Sequence, residues 1–250
     1  MSAAAIEGKP ARVLVYRHSV LVRITHWVNV VCIAFLLMSG MAIFNAHPAL
    51  YVGQKSTFDA PVLNLGVSYP DAHVIGQPFP SWLTGPARDL PSGRRIHFFF
   101  AWLFVINGAV YLIATLLTRH LWRDLLPTRD QLRHIGTTVR HHLRLYFPHE
   151  REYNVLQKFV YLAVAFVLLP GIVLAGLGMS PGFDAIFPGL VDFFGGRQTA
   201  RTVHFICASL VVLFILVHVG LVLLSGVWNN LRSMVTGRYR IDPEENSHVS

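Results

Sequence analysis

TVHFICASLVVLFILVHVGLVLLSGVW, residues 202–228, decides how this chain is read. The stretch carries no Asp, Glu, Lys or Arg, and it exceeds the about 20 residues that a helix needs to cross a hydrocarbon layer of roughly 30 Å. Two histidines, His204 and His218, interrupt it with thirteen residues between them. Steps of about 100° bring the second to within about 40° of the first, so both imidazoles leave one helix face. At about 1.5 Å per residue they are about 21 Å apart along the axis, one near each end of the span.

Composition agrees with a membrane class. Of 250 residues, 53% are hydrophobic and 14% charged, against about 25% charged in a soluble domain. The net charge of +8 falls in stretches between apolar runs, as cytoplasmic loops require, so nucleic acid is not the expected partner. Cys32 and Cys207 sit within apolar runs without metal or redox spacing and read as small buried hydrophobes. The first apolar run is too long for a signal-peptide core, so no cleaved signal is expected.

Working outward along the chain, Met1 to Pro10 reads as a polar tail and Ile24 to Phe44 as a first span, with His26 near its start. Asn45 to Arg95 is a long connection whose Pro61, Pro70, Pro78, Pro80, Pro86 and Pro91 argue against long helices. The second span is read as His97 to Leu117. Arg119 to Lys158 is basic, and within it Thr128 to Tyr146 has the pattern of an amphipathic surface helix. Thr128 and Gln131 have capping-box spacing, and Leu132, Ile135, Val139 and Leu143 follow at helical intervals. His141 and His142 read as solvated. The third span, Val155 to Gly178, contains Pro170-Gly171, which predicts a kink or locally opened ladder. Pro181 to Arg201 reads as a shorter loop and Asn229 to Ser250 as a polar tail. The expected fold is one all-α domain over residues 1–250: a four-helix membrane bundle with spans at about 24–44, 97–117, 155–178 and 202–228. The distribution of Lys and Arg puts both termini and the amphipathic helix in the cytoplasm.

That topology turns position into depth. His97 and His204 lie at the outer level, His26 and His218 at the inner level, and no other histidine is within a span. Neutral imidazole is a common axial ligand of haem iron, and an ionisable residue inside a membrane is a functional hypothesis by default. Two haems, held by His97 with His204 and by His26 with His218, are therefore expected. Gly40, 14 residues after His26, shares its face at the outer depth. Gly108, 11 residues after His97, approaches the inner pair. A missing side chain at either lets a flat macrocycle lie against backbone, as ordinary helix packing also would. Arg94, Arg95 and Arg201 flank the outer pair and Arg23 the inner, as partners of haem propionates or of lipid headgroups.

These residues resemble the bacterial cytochrome b family, which includes the b-type cytochrome subunits of nickel–iron hydrogenases and of thiosulfate reductase-like and formate dehydrogenase-like complexes. The likeness rests on Arg23-Ile24-Thr25-His26-Trp27-Val28-Asn29, on Ser39-Gly40, on the histidines fourteen apart, and on Ser233-Met234-Val235-Thr236-Gly237. It implies a four-helix bundle in the bacterial inner membrane with two bis-histidine b haems on His26, His97, His204 and His218. It also implies a quinone site near the cytoplasmic haem, for which Arg23 and Trp27 are candidates by position. The redox partner it implies is a molybdenum, iron–sulfur or hydrogenase-type subunit. The chain departs from the pattern in its long first outer loop and large basic inner loop. No nucleophile motif, acid–base pair or nucleotide loop is apparent, so a wire-like electron-transfer subunit is expected rather than a complete enzyme. Two alternatives stand beside it. One is a stand-alone superoxide:quinone oxidoreductase that uses Arg88, Arg94 and Arg95 to attract an anion. The other is a haem-free transporter with a histidine proton path.

Overall fold

A computed structural model describes residues 13–57, 60–69, 74–87, 89–118, 126–128, 133, 136 and 155–241. Met1–Pro10, Arg88, His141 and His142 lie outside these residues, as does nearly all of Thr128–Tyr146. Four helices are long and apolar enough to cross a membrane: α1 (Val20–Asn45), α3 (Leu90–Leu117), α4 (Val155–Gly178) and α7 (Arg197–Leu224).

Their ends show why the expected bounds shift. α1 begins ahead of the apolar run because Ser19 caps it, its Oγ accepting from Val22 N at 3.3 Å. α3 begins at Leu90, so His97 lies inside the helix and not at its start. A reciprocal cap sets that beginning: Asp89 accepts from Ser92 N at 2.7 Å, and Ser92 Oγ accepts from Asp89 N at 3.2 Å. Pro91, counted against a helix, occupies the first turn, where no N–H is needed. The irregularity expected at Pro170 is a wide π turn over Val164–Leu168. Such a turn accommodates a residue that has no N–H to give, and the helix continues past it. Lys158, read with the basic loop, is a buried residue of α4.

α1 packs along α3 and α4 along α7; backbone contact is extensive within these two pairs and sparse between them. Phe35 and Phe100 stack at 4.2 Å within the first pair. Asn107, buried in the same seam, donates to Thr25 O at 2.9 Å and to Asn29 Oδ1 at 2.8 Å.

Of the expected C-terminal tail, residues 229–241 are structured. Gly226, at φ +96°, turns the chain from α7 into α8 (Val227–Thr236), an amphipathic helix. Gly237 then leads into β6 (Arg238–Ile241), which pairs antiparallel with β1 (Val13–Tyr16). Arg17 N donates to Gly237 O at 2.8 Å. A Cβ at Gly237 would stand 2.9 Å from His18 O and from Tyr16, at φ +79°, so only glycine closes this clasp. Residues 13–17 and 237–241 thus meet at one end of the bundle. Trp228, Leu231 and Val235 recur at helical spacing, a signal the polar composition masked.

His18 makes the clasp pH-sensitive. Burial, with Arg17, His26 and Arg23 nearby, lowers its pKa from 6.5 to about 4. The unfolded chain therefore takes up a proton below 6.5 that the folded chain refuses until about 4. Stability is expected to fall as pH drops through that window and to level off below it. Thermal midpoints of detergent-solubilised protein, measured against pH, should lose part of that slope in His18→Gln. An unchanged slope would remove His18 from the account.

At the opposite end the long first connection is folded rather than structureless. It contains β2 (Ala49–Leu50) paired with β3 (Leu63–Asn64), β4 (Val67–Tyr69) paired with β5 (Val74–Gly76), and the short helix α2 (Ser81–Thr84). It docks on the start of α7. Gly53 O accepts from Gln198 N at 2.9 Å and Thr199 Oγ1 accepts from Gly53 N at 2.8 Å. Thr202 Oγ1 donates to Tyr51 O at 2.7 Å. Helix-start donors that lack intrahelical partners are satisfied by the loop. Two short helices, α5 (Pro181–Ile186) and α6 (Gly189–Phe193), complete this end.

Candidate functional site

The four intramembrane histidines form two pairs, each bridging the two helix pairs. His97 of α3 faces His204 of α7 with ring centroids 6.1 Å apart and planes at 63°. His26 of α1 faces His218 of α7 at 6.5 Å and 55°. Imidazole–metal bonds run at about 2.0 Å, and each nitrogen lies about 1.2 Å from its ring centre, so two trans imidazoles on one metal have centroids about 6.4 Å apart. Both pairs fit that spacing. Among the described residues, no group of three or more His, Cys, Asp or Glu gathers as a metal site.

The His97–His204 pair is oriented from behind. Ser39 Oγ gives its hydrogen to Phe35 O at 2.6 Å, so towards His97 Nδ1, 3.0 Å away, it accepts. Ile172 O, which can only accept, lies 2.8 Å from His204 Nδ1. Both rings are therefore held as the Nδ1–H tautomer, leaving Nε2 as the unprotonated nitrogen. This is the arrangement that outer partners impose on metal-binding histidines. In the His26–His218 pair, His26 Nδ1 is buried without a hydrogen-bond partner. His26 meets Trp27 edge-on at 5.3 Å, and His218 stacks on Phe214 at 5.6 Å.

Glycines give the rings room. A Cβ at Gly40 would meet only the His97 ring, at 3.6 Å. At Gly108 it would meet nothing within 4 Å, so that position faces open space. Gly176, not singled out in the sequence, matters as much: a Cβ there would press on His204 at 3.3 Å and 3.4 Å. Its absence lets the imidazole reach the Ile172 carbonyl. Ser39 and Gly176 could not be assigned from spacing alone, because the signal is which helix face meets which, and α4 carries no histidine to mark its face.

The arginines divide. Arg94 and Arg95 are exposed at the start of α3, with Arg94 over the Phe98 ring at 5.7 Å. Arg201 donates to the carbonyls of Ala49 and His47 and lies over Phe44. Arg23 donates from Nη1 to Val235 O at 2.6 Å, while its Nε is buried without a partner. Trp27 donates to Met234 O at 3.1 Å. Arg23 and Trp27 thus fasten α8 beside the His26–His218 pair.

A sequence model described as prokaryotic cytochrome b561 matches residues 17–237. A putative protein-methionine-sulfoxide reductase subunit, YedZ1, of Azospira oryzae is 32% identical over 88% of this chain and 96% of its own length. A probable Ni/Fe-hydrogenase B-type cytochrome subunit of Rhodobacter capsulatus is 23% identical over 86% of this chain and 76% of its own. No solved structure matches. The chain belongs to the prokaryotic cytochrome b561 family, a family of multi-pass membrane cytochromes that carry haem b.

Proposed function

From that membership we propose a di-haem electron-transfer subunit that connects a redox partner with the quinone pool of a bacterial inner membrane. The observation that carries this reading is the pair of cross-bundle histidine couples at bis-imidazole spacing, at two depths along α7. His97 and His204 would hold the outer haem b, His26 and His218 the inner. Each group, when bound, supplies reversible one-electron redox chemistry at its iron.

The chain's own residues do the rest. Ser39 and the Ile172 carbonyl fix the ring tautomers of the outer couple. Gly40, Gly108 and Gly176 keep side chains away from the rings and the space beside them. Arg94 and Arg95 are exposed to take propionates at the outer level. Arg201 and Arg23 combine any such role with holding the outer loop and α8 in place. The apolar spans exclude water between the two couples, which stand about 21 Å apart along α7. Arg23 and Trp27, beside α8, remain the candidates for quinone. The clasp of β1 and β6 carries Arg17, Arg238 and Arg240, which supports a cytoplasmic position for that end. Both relatives are named as subunits of redox enzymes, which supports a redox-enzyme partner.

The test is a reduced-minus-oxidised spectrum of the purified protein, with haem quantified per chain. Two b haems per chain, and reoxidation of the reduced protein by a soluble quinone analogue, are expected. One haem would mean that a couple is misassigned. No haem in folded protein would sink the proposal.

A further inference from the structure

The amphipathic helix α8 is oriented the wrong way round for water. Around its axis Trp228, Leu231 and Val235 fall within about 60° of one another, and Asn229, Asn230 and Ser233 occupy the opposite side. A helix at a water boundary turns its polar side outward. In α8 the polar side faces the protein. Asn229 brackets Arg240 of the clasp, donating to its O at 2.8 Å and accepting from its N at 2.9 Å. Ser233 is buried, and its Oγ donates to Asn230 O at 2.8 Å. The apolar side is left open, with Trp228 82%, Val235 62% and Leu231 38% exposed. Both ends of α8 are tied to membrane spans. Its start follows α7 across Ser225 and Gly226 alone. Its last turn is held at the Met234 and Val235 carbonyls by Trp27 and Arg23, near the start of α1. The helix, about 15 Å long, therefore runs along the membrane boundary instead of projecting away from it.

We propose that α8 lies in the headgroup layer of the bilayer, with Trp228, Leu231 and Val235 among the upper acyl carbons and Arg232 and Arg238 on the phosphates of anionic phospholipids. Helices of this kind bind through buried apolar area together with attraction to anionic lipid. The charge at this end fits that occupant. Arg232 follows Trp228 at about 40°, on the flank of the apolar side, and Arg238 stands just beyond the helix in the clasp. Both are exposed. Residues 13–57 and 193–241 contain no Asp or Glu, so these segments bring no carboxylate to neutralise them. Tyr16, opposite Arg238 in the clasp, is 61% exposed. Tyr and Trp collect at this depth of a bilayer because each has an apolar body and a polar edge. Through Arg23 and Trp27, the seating of α8 on lipid also steadies the start of α1, where His26 lies. This lipid contact needs no haem.

The experiment places the full chain in phosphatidylcholine nanodiscs and reads the fluorescence of Trp228, taken as the difference between wild type and Trp228→Phe. The discs carry a minor share of brominated phosphatidylcholine or brominated phosphatidylglycerol, with the bromines high or low on the acyl chain. Trp228 should be quenched more by high bromines than by low ones. Trp102, exposed in the middle of α3, gives the reference through Trp102→Phe and should show the reverse order. At equal content, phosphatidylglycerol should quench Trp228 as though enriched about fivefold over phosphatidylcholine, the factor one basic residue contributes at an anionic surface. The double variant Arg232→Gln, Arg238→Gln should lose that enrichment and keep the depth order. Trp228 left unquenched while Trp102 is quenched means that protein covers α8, a second copy or a partner, and overturns the proposal. Stronger quenching of Trp228 by low bromines overturns the headgroup position. Equal quenching by the two lipids, or an enrichment indifferent to the two arginines, overturns the recognition of anionic lipid.

Discussion

His97→Ala is expected to purify with one b haem per chain and to lose electron transfer to quinone. The ring it removes lies inside α3, held on one side by Ser39 at 3.0 Å and facing His204 at 6.1 Å on the other. Without it the outer couple is a single imidazole, and the Nδ1–H to Ile172 that orients His204 has no opposite ligand to complement. Losing a residue behind a ligand costs about 10–100-fold in metal affinity or activity, and losing the ligand itself exceeds that. The inner couple shares no side chain with the outer one, so its haem should stay. His47 supplies the control. It lies at the same end of the molecule, but its ring stacks on Tyr51 at 5.6 Å and it belongs to neither couple. His47→Ala should keep both haems. Haem content of folded, monodisperse protein decides the matter: two haems in His97→Ala would remove His97 from the ligand set.

Much of this site is legible in the sequence because a membrane removes freedom. A span has to be a helix, a helix has a fixed rise, and a fixed rise turns His26, His97, His204 and His218 into two depths. The same arithmetic carries Gly40 to the His97 ring. What stays hidden depends on rotation and on non-local pairing. Spacing along α1 does not say that Ser39 turns towards α3, nor does any residue of α4 announce that Gly176 backs His204. The short strands are hidden for another reason. Ala49–Leu50 and Leu63–Asn64 are too brief to show a period of two. β1 and β6 are more than two hundred residues apart in the chain. The helix starts do carry local signals: Ser19 and the Asp89–Ser92 pair are ordinary caps that lie outside the apolar runs.

Gly196→Ala should destabilise the outer end more than any other single methyl added there. At φ +125° and ψ 162° the backbone of Gly196 lies in a region that is essentially reserved for glycine, which alone costs about 1–3 kcal/mol for any other residue. The new Cβ would also stand 2.4 Å from the carbonyl carbon and oxygen of Gly53 and 2.7 Å from Gln54 N. Those are backbone atoms and cannot rotate away. The carbonyl in question is the acceptor for Gln198 N, so relieving the clash means lifting the loop off the start of α7. With it go the acceptors of Thr202 and Arg201, which anchor the turn leading into His204. The total should therefore exceed about 3 kcal/mol. Its neighbour separates the two causes. Gly195 is also left-handed, at φ +71°, but a Cβ there meets nothing within 4 Å, so Gly195→Ala should cost about 1–2 kcal/mol. Thermal midpoints of the two variants, with protease nicking between residues 46 and 89 as the local readout, make the comparison. If the docked loop matters to the outer couple, Gly196→Ala also lowers outer haem occupancy while Gly195→Ala does not. Equal behaviour of the two variants would mean that the loop yields freely and that the outer couple stands without it.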